Sequence, residues 1–175
     1  MKRTILGAIS ALSLTLVATG AVAQESSNRV AANTDWSVFV EDNPTECWSV
    51  SSPKETVNTK NGRAVAVKRG DILLFVSYRP GNKVKGEVSF TGGYPFAKGS
   101  TVELAIGSST FQLFTDGEWA WSASPAEDAK IIAAMKRGAK ASASARSSRG
   151  TQTKDTFSLL GFTAAVEEAG KRCGG

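Results

Sequence analysis

Histidine is absent from all 175 residues, and there are only two cysteines. Without histidine there is no Ser-His-Asp or Cys-His couple, no imidazole base and no common zinc site of His and Cys. Histidine-based switching near neutral pH is excluded as well. Neither cysteine lies in a CxxC motif. No GxxxxGK[ST] and no strand-GxGxxG-helix pattern occurs, so no phosphate cradle is announced. No EF-hand loop occurs either, so calcium has no support. After the first two dozen residues there is no long apolar run, so the remainder carries no membrane-spanning helix. Basic charge is modest too. The net charge is +5, too little to argue for nucleic acid. These absences favour a protein that is not an enzyme and that takes no cofactor and no metal.

What is present begins at the N-terminus. Met1-Lys2-Arg3 is a short positive region, Ile5 to Val17 an apolar one, and Ala21-Val22-Ala23 a small-x-small cleavage signal. Residues 1–23 therefore read as a secretory signal, with the mature chain beginning at Gln24. Residues 24–34 are polar and small and read as a flexible leader. Residues 35–173 are expected to form a single β-rich domain, and 174–175 a frayed tail. Export fixes the redox state. Two cysteines in an oxidising compartment, even in number, are expected to pair as Cys47–Cys173. Closing so long a loop stabilises by about 4–5 kcal/mol in the chain-entropy model.

The rest of the chain is punctuated by turns. Trp36–Val40 and Glu46–Val50 have strand composition, while 51–63 reads as a loop marked by Pro53 and Asn61-Gly62. Ala64–Val67 reads as a short strand. Ile72–Val76 is continuously apolar, as in a strand covered on both faces. Val84–Phe90 and Val102–Ile106 alternate apolar with polar. Asp116-Gly117 signals a hairpin between Thr110–Phe114 and Glu118–Trp121. Ser124-Pro125-Ala126-Glu127 is a capping box with proline at the first helical position, and it predicts a helix over about 124–137 that Gly138 ends. Ala139–Arg146 alternates alanine with serine or lysine, as in a strand packed closely under another element. Thr156–Leu159 reads as the last strand, and a short helix is predicted over about 162–171. About nine short strands and two helices indicate a mainly β fold, an antiparallel sandwich or flattened barrel.

Several of these pieces, in order, resemble the invasion-associated locus B family of exported bacterial proteins. They are Trp36, Cys47, Gly92-Gly93-Tyr94-Pro95-Phe96, Phe111-Gln112-Leu113 before Trp119 and Trp121, Ile131 to Gly138, and Asp155 to Ala165 leading to Cys173. The resemblance covers about Trp36 to Cys173. It implies a periplasmic, outer-membrane-associated or secreted protein of the cell envelope, with host-cell interaction as one role in the family. It brings no catalytic residues with it.

Three places could make a contact surface. Tyr94 and Phe96 sit on a Gly-Gly-Pro loop, which is either an exposed recognition loop or, as favoured here, a buried corner. Trp119 and Trp121 lie on one strand face, either as a sugar-stacking platform or as core, and core is favoured. Lys136, Arg137, Lys140, Arg146, Arg149 and Lys154 run without an intervening acid. They form either a basic flank for an anionic envelope polymer or an ordinary solvated surface. Partners are thus a protein or an anionic envelope polymer, with nucleic acid excluded. The alternative functions are a carboxylate-dependent glycan hydrolase, which needs two carboxyls facing across a sugar, and a structural periplasmic module without a specific small ligand.

Overall fold

Residues 28–174 are described by the computed structural model. The expected signal, residues 24–27 of the expected leader, and Gly175 lie outside them. The strands are Arg29–Asn33 (β1), Trp36–Asp42 (β2), Thr45–Ser51 (β3), Glu55–Lys60 (β4), Arg63–Ala64 (β5), Leu73–Arg79 (β6), Val84–Thr91 (β7), Thr101–Ile106 (β8), Ser109–Asp116 (β9), Trp119–Trp121 (β10), Lys140–Arg146 (β11) and Gln152–Ser158 (β12). The helices are Pro125–Arg137 (α1) and Phe162–Cys173 (α2).

The fold is mainly β and antiparallel, with the two helices read from the sequence. It is one sheet, not two, in the order β1-β2-β3-β6-β7-β10-β9-β8-β11-β12-β4-β5. The sheet does not close, so the barrel form of the expectation gives way to a sheet folded over itself. The fold-over is visible in the core. Phe90 on β7 meets Phe157 on β12 edge-to-face, with ring centroids 6.1 Å apart, although four strands separate β7 from β12 in the sheet. Trp36 closes the end of the same core. Its ring lies 4.8 Å from that of Phe162, and its indole N–H donates to the Ser158 carbonyl at 2.9 Å. Buried indole donors are satisfied in this way.

Three segments depart from the sequence reading. Arg29–Asn33, inside the stretch expected as a flexible leader, is strand β1 paired to β2. Residues 55–60, expected as loop, are strand β4 paired to β12. Its only large apolar residue, Val57, is 44% exposed, so β4 is held by backbone pairing and has no apolar face to announce it. Of the expected strand 64–67, only Ala64 is strand; the connection after it carries a side chain into the interior, as described below.

Helix α1 begins as its capping signal implies. Ser124 Oγ accepts from the Glu127 amide at 3.3 Å, and Glu127 and Asp128 stand in the first turn. It ends at Gly138, though in extended rather than left-handed conformation. The glycine answers to space: a Cβ there would lie 2.8 Å from Ile106 and 2.9 Å from Leu159. The helix packs against β7. Asp128, buried on its inner face, accepts from the Val88 amide at 2.8 Å and from Ser122 Oγ at 2.7 Å. Strand β10 pairs β7 only over Ser89–Thr91, so this carboxylate supplies the acceptor that a longer β10 would have given Val88. Helix α2 lies across β2, β3 and β6. It is joined to β3 through Cys47–Cys173, with Cα atoms 5.8 Å apart and 126 positions between them in sequence.

Two measurements test these contacts. Replacing both cysteines by alanine is expected to lower the unfolding free energy by about 4–5 kcal/mol, read as a fall in the urea midpoint. An unchanged midpoint would show that the bridge constrains nothing. Asp128 sets a pH dependence. Burial raises its carboxyl pKa, against the hydrogen bonds from Ser122 and Val88 that lower it. The folded state therefore holds this proton more tightly than the unfolded chain, and the contribution of Asp128 to stability falls as pH rises through the folded pKa. Wild type should gain stability relative to Asp128→Asn as pH is lowered from 7 toward about 4.5, just above the unfolded carboxyl range. A constant difference across that window would contradict it.

Candidate contact surface

The corner at Gly92–Phe96 is turned inward. Phe96 is buried against Phe90. Tyr94 packs edge-on to Phe96 with centroids 5.2 Å apart, and its hydroxyl is hydrogen-bonded to Thr153 Oγ1. Gly93 is required by close approach. Its carbonyl accepts from the Gly70 amide at 2.9 Å, its φ is +70°, and a Cβ would come within 2.5 Å of the Gly70 carbonyl oxygen.

Beside this corner lies a residue the sequence reading passed over as a turn. Arg69, in the connection between β5 and β6, is buried and makes a two-pronged ion pair with buried Asp155 of β12, at 2.7 and 2.6 Å. The same guanidinium donates to the Gly92 carbonyl at 2.8 Å and to Asn58 Oδ1 at 3.2 Å. It also lies 4.9 Å from the centre of the Tyr94 ring. Burial pushes the Asp155 carboxyl pKa up while Arg69 pulls it down. A depression of about 460 Å³ opens over this cluster, with Lys68, Glu118 and Arg149 at its walls. Its deeper polar groups are already committed to one another.

The six basic residues do not gather into one patch, although Arg146 and Lys154 border a common depression. Lys136 and Arg137 end α1, where Lys136 pairs with Glu167 at 3.0 Å. Lys140 and Arg146 stand at opposite ends of β11, with Lys154 on β12 opposite Ser144. Arg149 lies in the β11–β12 turn, at the Tyr94 depression. The outer face of β8, β11 and β12 is otherwise small and polar: Thr101, Glu103, Ser142, Ser144 and Gln152.

The other half of the same sheet has a different outer face. Alternation fixes it: Trp36, Val38, Cys47, Leu74, Val76, Val88, Phe90, Leu113 and Ala120 point inward and are buried, so their neighbours point out. These neighbours are Phe39 (β2), Trp48 (β3), Phe75 (β6), Trp119 and Trp121 (β10) and Phe114 (β9). The expectation that Trp119 and Trp121 belong to the core is overturned, since Trp119 is 39% exposed and Trp121 is partly so. The six rings form two groups, a pair and a chain of four. Phe39 stacks on its cross-strand partner Trp48, with centroids 5.7 Å apart. Phe75 lies 5.6 Å from Trp119, Trp119 6.3 Å from Trp121, and Trp121 5.6 Å from Phe114. Ser89 and Thr91 share this outward direction, yet are only 5% and 7% exposed. Each stands between two of the larger side chains, Ser89 between Phe75 and Trp121, Thr91 between Leu73 and Trp119.

A depression of about 320 Å³ lies on this face, bounded by Trp48, Phe75, Trp119 and Trp121 and by Glu46, Ser77, Arg79, Glu87 and Ser89. Arg79 is paired with Glu87 at 2.5 Å. Glu46 stands directly opposite Glu41 across β2 and β3. The sequence reading missed Phe39, Trp48, Phe75 and Phe114 because each sat in a plausible core strand. One signal was available: a disulfide at Cys47 puts that side chain inward and hence Trp48 outward. Among the described residues no group of three Asp, Glu or Cys side chains is placed to hold a metal ion, and no helix is long and apolar enough to cross a membrane.

Comparison with known proteins agrees with the fold. The family model described as invasion associated locus B (IalB) protein matches residues 36–170. The crystal structure of invasion associated protein b from Bartonella henselae superposes with a TM-score of 0.52 at 12% sequence identity, covering 79% of this chain and 94% of that one. No curated protein matches the sequence.

Removing one partner of the buried ion pair leaves the other charge unpaired in the interior. Arg69→Met is therefore expected to cost about 3–5 kcal/mol in urea unfolding. Adding Asp155→Leu should restore a large part of it, whereas equal losses in the single and double variants would show that Arg69 acts only through its other hydrogen bonds.

Proposed function

The chain belongs to the invasion associated locus B (IalB) family, and from that premise we propose that it is a non-enzymatic, exported interaction protein of the cell envelope or surface. Its contact surface is the aromatic outer face of β2, β3, β6, β7, β10 and β9. The observation that carries this reading is the asymmetry of one sheet. Three of the four tryptophans stand on the outside of one half, while the outside of the other half is serine, threonine and scattered charge. Contiguous exposed aromatic surface with a polar border is the usual mark of a binding surface.

The aromatic sheet face takes the place of both the aromatic loop and the basic flank. Tyr94 and Phe96 are engaged inward, and the basic residues are spread from the end of α1 along β11 to β12. The hydrolase alternative has Glu46 and Glu87 at the rim of one depression, but Arg79 holds Glu87. That leaves no free facing couple in this depression of the kind glycoside hydrolysis needs. Host-cell interaction would use the same face.

A photo-crosslinking amino acid at position 119, in intact cells, should yield adducts with an envelope or surface component. The same group at position 144, on the polar half, should not. In those cells the protein should fractionate outside the cytoplasm, with its N-terminus at Gln24. Adducts from position 144 but none from 119, or cytoplasmic material with an intact N-terminus, would refute the proposal.

A further inference from the structure

Resting on that assignment of the contact face, we propose that the depression among Trp48, Phe75, Trp119 and Trp121 binds a glycan free of anionic groups, built from pyranose rings with equatorial hydroxyls. Such a ring has two kinds of surface. Its faces are C–H groups that pack on aromatic rings, and its edge is a row of hydroxyls. The depression offers both partners. Its walls are four aromatic side chains, and its border carries Glu46, Glu87, Arg79, Ser77 and Ser89.

The charges narrow the ligand further. This face carries Glu41, Glu46, Glu87 and Asp116 against Arg79 and, at its β1 edge opposite Phe39, Arg29, on a chain whose net charge is +5. Glu41 and Glu46 oppose each other across two strands, an arrangement that slightly disfavours the sheet itself. Among the described residues neither has an ion-pair partner, whereas Arg79 is taken by Glu87. A carboxylate only accepts hydrogen bonds. The face therefore wants a ligand that donates, and it repels one that carries carboxylate, sulfate or phosphate. Sugar hydroxyls donate. A lipid surface or an apolar protein partner would bury these carboxylates without donors, at a cost of several kcal/mol for each desolvated charge. The mixture of flat apolar rings with a few polar groups is that of an orienting ligand site, and the volume of about 320 Å³ falls at the lower end of such sites.

The test is a titration of the purified mature protein with the tetramer of N-acetylglucosamine, followed by tryptophan fluorescence and by amide chemical shifts. Saturable changes are expected in both, with shifted amides on β3, β6, β7 and β10. Trp119→Ala and Trp121→Ala, at positions that are not core, should fold normally by circular dichroism and weaken binding by about tenfold or more. Glu46→Gln should weaken it less, by about threefold. Tetragalacturonate, of similar length but anionic, should bind at least about tenfold more weakly, a factor of 1.4 kcal/mol. No saturable response to the neutral tetramer, equal affinity for the uronate, or full binding by Trp119→Ala would overturn the proposal. Shortening of the tetramer during incubation would overturn it in favour of hydrolysis. Failure here with position-119 adducts to a protein in cells would remove the glycan and leave the contact face standing. Oligosaccharide binding without adducts at 119 would do the reverse.

Discussion

A sheet of twelve strands that does not close must be kept folded over, and the Arg69–Asp155 ion pair is the constraint on which that depends. Asp155 belongs to β12, separated from β7 by four strands in the sheet order, yet Arg69 holds it and the Gly92 carbonyl at the end of β7 with one guanidinium. The approach of Gly70 to Gly93 lets the connection run close enough for this. Buried ion pairs add little net stability against a well-packed apolar substitute. Their value here is geometric. A planar fork of five donors fits a carboxylate, a carbonyl and an amide oxygen only in one arrangement, so it selects a single way for the two halves of the sheet to meet. Tyr94 and Phe96 are committed to this junction, which is why the loop that looked suited to recognition is structural.

Once the inner faces are pressed together, the outside of the sheet is free to differ from one half to the other. On β11 and β12 it is serine, threonine and glutamine with lysine and arginine, a solvated surface of ordinary chemistry. On β2, β3, β6, β10 and β9 it is six aromatic side chains bordered by carboxylates. Burial cannot account for the difference, because the inner residues of both halves already form one core. The aromatic rows do give some cross-strand stabilisation, as Phe39 against Trp48 shows. That gain would be available from β-branched residues as well, without placing a tryptophan in water.

The sequence was most legible where a local rule settles a local structure. Ser124-Pro125 with Glu127 and Asp128 placed α1 correctly, and the alternation in 84–90 and 102–106 placed β7 and β8. It was least legible where pairing is long-range. β4 has one apolar residue and is a strand because β12 offers it hydrogen bonds; Asn61-Gly62, a loop marker by composition, is its hairpin turn, and both residues have the positive φ that such a two-residue turn requires. Residues 72–76 read as a run covered on both faces. That was half true: Leu74 and Val76 are in the core, while Phe75 faces outward and is partly covered by Trp119. For the same reason the face itself was hidden. Trp119 and Trp121 were known to share a side, but which side depends on Ala120 facing the core, a tertiary fact. Arg69 looked like turn punctuation because its partner is 86 positions away.

The two helices bear on the same question, because both lie behind the aromatic half. Helix α2 covers the inner side of β2, β3 and β6, and α1 covers that of β7. Cys47 and Trp48 are adjacent on β3: the first points back to Cys173 on α2, the second points out to Phe39. The covalent tie therefore fixes the rear of a strand whose front carries a ring of the contact face. Asp128 does the same for β7, taking up the Val88 amide one residue beyond the end of β10. A binding surface made of flat rings gains from being held rigid before the ligand arrives, since ordering it afterwards would consume binding energy. The back of this half is braced by a disulfide, two helices and a buried carboxylate, while its front is left open. That arrangement is intelligible if the front is the working surface, and it is unexplained if the aromatic rows serve only the fold.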